Sequence, residues 1–156
     1  MAKNGKVDFR DLQNLRQNLE RSLSGDQVDL FIQSCAKELA ARLLAKVIKR
    51  TPTGIYPKSS GKKGGTLKRG WTNGKSQAVH EYVSTLTINQ FGDVYVIEII
   101  NPVEYASYVE FGHRTRGGKG WVEGRFMLTI SEQEIQADAP RILENKLKKK
   151  LGECFR

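Results

Sequence analysis

Apolar residues recur at helical spacing in residues 7–23, where Leu12, Leu15, Leu19 and Leu23 form a stripe that breaks at Ser24-Gly25. The next stripe is longer. Over residues 26–50, Phe31, Cys35, Leu39, Leu43, Val47 and Ile48 line one face, and Leu44 with Ala36, Ala40, Ala41 and Ala45 widens it. Ser24 and Gln27 stand at capping-box spacing, which predicts a helix start satisfied by side chains. At the other end Lys46, Lys49 and Arg50 suit the negative end of the helix dipole, and Pro52 drives Thr51 out of helical geometry.

The period then vanishes. Residues 52–78 hold six glycines, two prolines, six Lys/Arg and no acid, which predicts a long loop. Within it Thr66-Leu67-Lys68-Arg69-Gly70-Trp71 is expected to form a short strand or turn that pins the loop to the body. Residues 79–89 and 94–100 are rich in Val, Ile, Thr and Tyr and predict two strands, joined at Phe91-Gly92-Asp93. Asn101 as N-cap, Pro102 at the first helical position and Glu104 at the third predict a short helix over 102–111, ended by Gly112. A second basic, glycine-rich loop spans 112–125. Helices are expected over 126–137 and 139–154, with Asp138 and Pro140 marking a new start or a bend. In the last helix Ile142, Leu143, Leu147 and Leu151 form a stripe, with Lys146, Lys148, Lys149 and Lys150 on the polar side. The fold class is α+β: a long amphipathic helix packed on a small antiparallel sheet, with C-terminal helices and two long glycine-rich basic loops. With 156 residues, a single domain over the whole chain is expected, its loops 52–78 and 112–125 flexible.

Charge adds what the periodicity omits. The net charge of +9 is distributed in blocks: residues 51–80 carry +6, residues 81–111 hold five acids and no base, and residues 112–125 carry four bases and one acid. Such blocks suit polyanion binding, and equally a subunit whose basic loops meet a neighbour's acidic surface. Cys35 lies on the apolar helical face and Cys154 near the end of the chain, which gives no disulfide framework and points to a reducing cytoplasm. Residues 1–11 have no apolar core, so no secretory leader is expected, and no apolar run is long enough to span a membrane.

Catalytic chemistry is not visible. His80 and His113 are the histidines, neither with a second ligand at metal spacing, so no metal and no cofactor are expected. No nucleophile elbow, P-loop or dinucleotide fingerprint occurs. The run Arg114-Thr115-Arg116-Gly117-Gly118-Lys119-Gly120 could hold an anion but lacks the Gly-Lys-Ser/Thr ending of a P-loop. Glu104 and Glu110, six apart, read as a capping residue and a solvent or interface acid. The chain is therefore not expected to be an enzyme. The informative segment is 105–127: a helix-patterned aromatic stretch (Tyr105, Tyr108, Val109, Phe111) ends at Gly112, and the loop after it carries His113, Arg114, Arg116 and Lys119. That reads as a packed scaffold projecting a charged loop, a binding or assembly part.

Four segments, in order, resemble the tail-completion (neck) or tail-component family of long-tailed bacteriophages. They are Lys49-Arg50-Thr51-Pro52-Thr53-Gly54, then Gly65-Thr66-Leu67-Lys68-Arg69-Gly70-Trp71, then Tyr105-Ala106-Ser107-Tyr108-Val109-Glu110-Phe111-Gly112-His113, and last Arg125-Phe126-Met127-Leu128. The last departs from the family in lacking a proline. The resemblance implies a virion structural protein at the head-proximal end of the tail, acting in tail completion and head-tail joining. It implies a homo-oligomeric ring, expected to be a hexamer. The implied partners are tail tube or terminator and head-closure proteins, with non-specific contact to phage DNA in the channel and no membrane. Candidate assembly-interface residues are Lys62, Lys63, Lys68, Arg69, Trp71, Glu110, His113, Arg114, Arg116, Lys119, Trp121 and Arg125. The other class of function is a cytoplasmic nucleic-acid-binding protein using the same basic loops, with Trp71 and Trp121 available for stacking.

Overall fold

The structure, a computed structural model, describes residues 3–6, 10–20, 24–75 and 78–154. Leu23 and the side chains of Leu15, Leu19 and Cys154 lie outside the described residues. The elements in order are β1 (Lys3–Lys6), α1 (Arg10–Glu20), α2 (Gly25–Arg50), α3 (Thr66–Gly70), α4 (Val79–Ser84), β2 (Ile88–Phe91), β3 (Val94–Asn101), α5 (Ala106–Phe111), β4 (Gly112–Arg114), β5 (Trp121–Glu123) and α6 (Met127–Cys154).

α2 is the axis of the molecule. Val28, Phe31, Ile32, Cys35, Leu39, Leu43, Leu44 and Val47 are all buried, because α1, α4, α6 and the sheet pack around the helix. α2 packs on the hairpin strand β3 as the sequence pattern predicts, and still more extensively on α6. Burial pushes the Cys35 thiol up to about 12, as befits a small core residue. The capping box does not form: Ser24 occupies the N-cap position but its side chain makes no capping hydrogen bond. Thr51 ends the helix as expected, extended at φ −67°, ψ 124°. Its hydroxyl donates to the Val47 carbonyl at 2.7 Å and accepts from the Trp71 indole N–H at 2.8 Å, so the helix end holds the loop beyond it.

The main sheet has three strands in the order β1-β3-β2, both pairings antiparallel. Along β3 the burial alternates: Tyr95, Ile97, Ile99 and Asn101 face inward, Val94 and Glu98 outward. The hairpin expected at Phe91-Gly92-Asp93 is present, but Phe91 belongs to β2 and pairs with Val94, which leaves Gly92-Asp93 as the turn. Residues 79–84, expected as strand, are helix α4. Val83 is buried, and Val79, Tyr82 and Leu86 lie half-buried against the core. Residues 66–70, expected as strand or turn, are helix α3, though they do pin the loop: Leu67 and Trp71 are buried. The helix expected over 102–111 begins only at Ala106, where Tyr105 rather than Asn101 occupies the N-cap position. Asn101 nevertheless accepts from the Val103 N–H at 3.2 Å and donates to the Leu67 carbonyl at 2.9 Å.

The two expected C-terminal helices are one, α6, with Pro140 inside it. Pro140 and Gln136, whose carbonyl loses its helical donor, are both exposed, so water can satisfy that carbonyl. α6 runs antiparallel to α2 and is tied to it at two places, the middle of α2 and its C-terminal end. Lys146 reaches Glu38 at 2.8 Å, while Lys46 (2.8 Å) and Arg50 both hold Glu134. Hydrogen bonds from Arg50 and then Lys46 hold the Glu134 carboxyl down at about 2. A depressed carboxylate stabilises the fold above its unfolded pKa and stops doing so as pH falls through the folded value. Between about pH 4.5 and about pH 2 the wild type should therefore lose stability more steeply than Glu134→Gln, read as urea midpoints against pH; parallel curves would mean that the pair contributes nothing.

A candidate assembly face

α5 has one turn and a half, yet two sides of different character. Ala106 and Glu110 are buried, whereas Tyr105, Tyr108 and Phe111, three residues apart, stand outward, Tyr108 at 58% exposure. At that spacing they form one row, and the row faces solvent.

Glu110, expected as a solvent or interface acid, is instead the pin of this region. It is 1% exposed, and its carboxylate accepts from the backbone N–H groups of Leu128 (3.0 Å) and Thr129 (2.9 Å) and from the Thr129 hydroxyl (2.7 Å). Those are free donors of the first turn of α6, where a negative charge also meets the positive end of the helix dipole. Two backbone bonds add to it in the same direction. The Arg125 N–H donates to the Val109 carbonyl at 2.7 Å and the Phe126 N–H to the Glu110 carbonyl at 3.0 Å. α5 and the start of α6 thus clasp each other across the second loop.

That loop is a hairpin, with β4 and β5 antiparallel and Arg114 opposite Trp121. Its base lies so close to α5 that a Cβ on Gly124 would strike the Glu110 carbonyl, and one on Gly112 (φ 87°) the Val122 carbonyl. After the hairpin Phe126 is held at φ 46°, a left-handed conformation that costs a bulky side chain energy and marks an over-determined site. Its ring meets Phe111 edge-on, centroids 6.5 Å apart. Trp121 on β5 is 55% exposed. His113 stands 5.6 Å from the Tyr108 ring, and its buried Nδ1 finds no hydrogen-bond partner among the described residues.

Tyr105, Tyr108, Phe111, Trp121 and Phe126 therefore line the exposed surface of α5, the hairpin and the start of α6, Phe111 against Phe126, with Arg114, Arg116, Lys119 and Arg125 exposed along the same segment. None of those four cations is paired with a carboxylate among the described residues. The first loop meets the same region: Pro52, Tyr56, Thr66 and Leu67 bound a cavity of about 210 Å³ with Tyr105 and Val109. Lys62 sits 5.9 Å from the Tyr56 ring centre and Lys63 is exposed. Lys68 is half-buried on α3, and Arg69 is engaged within the loop, donating to the Gly64 carbonyl at 3.2 Å and the Thr66 hydroxyl at 3.4 Å. Trp71 and Glu110, both expected at an interface, are interior residues, the one anchoring the loop and the other capping α6.

Sequence reasoning missed Tyr56 and Phe126 as members of this surface. Aromatic and arginine-rich exposed patches of this kind are the composition of protein–protein contacts rather than of substrate pockets. Among the described residues no cluster of three His, Cys, Asp or Glu side chains is placed to hold a metal, and no helix is long and apolar enough to cross a membrane.

Comparison with known families gives one finding. The profile of the family described as "Bacteriophage HK97-gp10, putative tail-component" matches residues 13–112, from α1 to the first residue of β4. The aromatic row of α5 lies inside the matched range, and the hairpin tip, Trp121 and Phe126 lie beyond it. Comparison with curated proteins and with solved structures finds no match.

Proposed function

We propose a role in the phage neck, on the premise that this chain belongs to the HK97-gp10-like family of bacteriophage tail components. As a tail component it is a structural protein of the virion. The finer reading is that it forms one domain, sits at the head-proximal end of the tail and completes it. There it is a subunit of a homo-oligomeric ring, hexameric in the simplest case, that contacts tail tube or terminator proteins on one side and head-closure proteins on the other.

The observation that carries this reading is the aromatic, cation-flanked face. Five large aromatic side chains stand exposed around the clasp between α5 and α6, and one of them stands on a strained backbone. A monomer gains nothing from that arrangement, whereas a subunit that must bind neighbours does. Contact with DNA in the channel would be weak and independent of sequence, through phosphates alone. A dedicated nucleic-acid-binding role has less support, because Trp71, one of its two proposed stacking residues, is 2% exposed and bonded to Thr51.

The test is a phage carrying Arg114→Ser, Arg116→Ser and Lys119→Ser together. All three side chains are exposed, so the folding stability of the purified protein should change by about 0.5 kcal/mol or less. Infectious titre should drop severalfold or more, with filled heads and finished tails accumulating separately in electron micrographs. Normal titre with intact necks would remove the hairpin from head-tail joining.

A further inference from the structure

The aromatic face has a counterpart at the other end of the sheet. Phe91 and Val94 are paired across the β2–β3 ladder and share its outer surface, and they are 67% and 41% exposed. Asp93 stands between them in the turn, exposed, and Glu98 lies further along on the same outward side of β3. This tip is thus apolar with one exposed acid, Asp93, in its turn, and Glu98 stands further along the strand opposite Lys6 of β1.

The face at α5 is apolar and basic. Its four exposed cations, Arg114, Arg116, Lys119 and Arg125, outnumber the exposed acids of the same region, Glu104 and Glu123. The two surfaces lie at opposite ends of β3. Val94 begins the strand at the tip, while Asn101 ends it beside Leu67 and leads directly into the turn before α5. Eight residues of strand separate the ends by roughly 25 Å. One molecule therefore cannot bring its own tip onto its own face, but a second copy can.

We infer that the β2–β3 tip of one copy docks, through Phe91, Asp93 and Val94, on the aromatic face formed by Tyr108, Trp121 and their cationic neighbours in the next copy. The contact is head-to-tail: tip and face are different surfaces, so every subunit keeps one of each free until the assembly closes. Such heterologous contacts generate rings when the rotation closes and filaments when it does not. Apolar contact supplies most of the attraction, and the opposite charges fix which end meets which. The inference rests on the reading of the chain as a ring-forming tail subunit, and it names the surfaces that would form the ring.

Two variants of the full chain test it. The tip variant carries Phe91→Ser and Asp93→Lys; the face variant carries Tyr108→Ser and Trp121→Ser. Circular dichroism and thermal melts first establish that both fold as wild type. Mass photometry and sedimentation velocity then track assembly with concentration, alone and on purified tail tubes. Wild type should assemble beyond dimers, and each variant alone should need at least tenfold higher concentration to do so. An equimolar mixture should form a dimer and stop there, because the intact tip of the face variant fits the intact face of the tip variant, and the two surfaces left over are both defective. A Val94→Cys/Trp121→Cys protein provides the check should either variant misfold: under mild oxidation it should give cross-linked ladders, not closed monomers.

The contact is overturned if either folded variant assembles like wild type, if the mixture yields no dimer, if the double-cysteine protein gives no ladder, or if wild type stays monomeric both alone and on tubes. Detecting the protein in purified virions separates the two levels. If it is present there while these tests fail, only the contact falls; if it is absent, the tail role falls with it.

Discussion

Leu39→Asp is expected to abolish cooperative folding. Leu39 is fully buried in α2, the helix around which α1, α4, α6 and the sheet are arranged. The substitution removes a large apolar side chain, worth about 2–3 kcal/mol of burial, and leaves a carboxyl group with no partner, which costs a further few kcal/mol. Their sum approaches the whole stability of an ordinary domain, about 5–15 kcal/mol. Far-UV circular dichroism against temperature should show no native transition. Leu30→Asp is the control, since Leu30 lies on the same helix at 68% exposure and should shift stability by only about 0.5 kcal/mol. A Leu39→Asp protein that melts with the wild-type midpoint would mean that the core lies elsewhere.

That contrast shows which part of this fold was legible in the residues. The long stripe of α2 is a property of spacing alone, and Phe31, Cys35, Leu39, Leu43 and Val47 are buried as the spacing requires. The β2–β3 hairpin was legible for a similar local reason, β-prone residue types on either side of Phe91-Gly92-Asp93. Short segments were ambiguous. Val79, Tyr82, Val83 and Leu86 are β-prone residue types, but they stand at helical intervals, and the packing surface offered by α2 decided for the helix. β1 carries no strand signature in Lys3–Lys6; it exists because the free edge of β3 pairs its backbone. Pro140 argued for two C-terminal helices, yet one lost hydrogen bond on an exposed side does not outweigh packing along the whole of α6. The site was half legible. Its cations stood out in the charge blocks, and they are exposed. The direction of the Tyr105, Tyr108 and Phe111 row depended on which side of α5 the α6 start would clasp, and that contact joins residues distant in sequence.

Glu110→Ala should be the most damaging change at the site itself. It deletes an acceptor that holds the Leu128 and Thr129 N–H groups and the Thr129 hydroxyl at the buried start of α6. An unsatisfied buried donor costs about 1–3 kcal/mol, and loss of a charge at a helix N-terminus adds about 0.3–1 kcal/mol. A total of about 2–4 kcal/mol is expected, since the first turn of α6 can recover part of the loss with water. Glu110→Gln keeps the size and one oxygen, so it should lose less. Thr129→Val, combined with Glu110→Ala in a double-mutant cycle, should show coupling of about 1 kcal/mol, because the hydroxyl and the carboxylate form one contact. Urea midpoints give all three values. Hydrogen exchange separates a local role from a general one: in Glu110→Gln the amides of residues 105–126 should lose protection while those of α2 keep theirs, since the clasp, not the core, orients the aromatic face. An alanine variant within about 0.5 kcal/mol of wild type, with protection over 105–126 unchanged, would mean that some other contact holds α5 against α6.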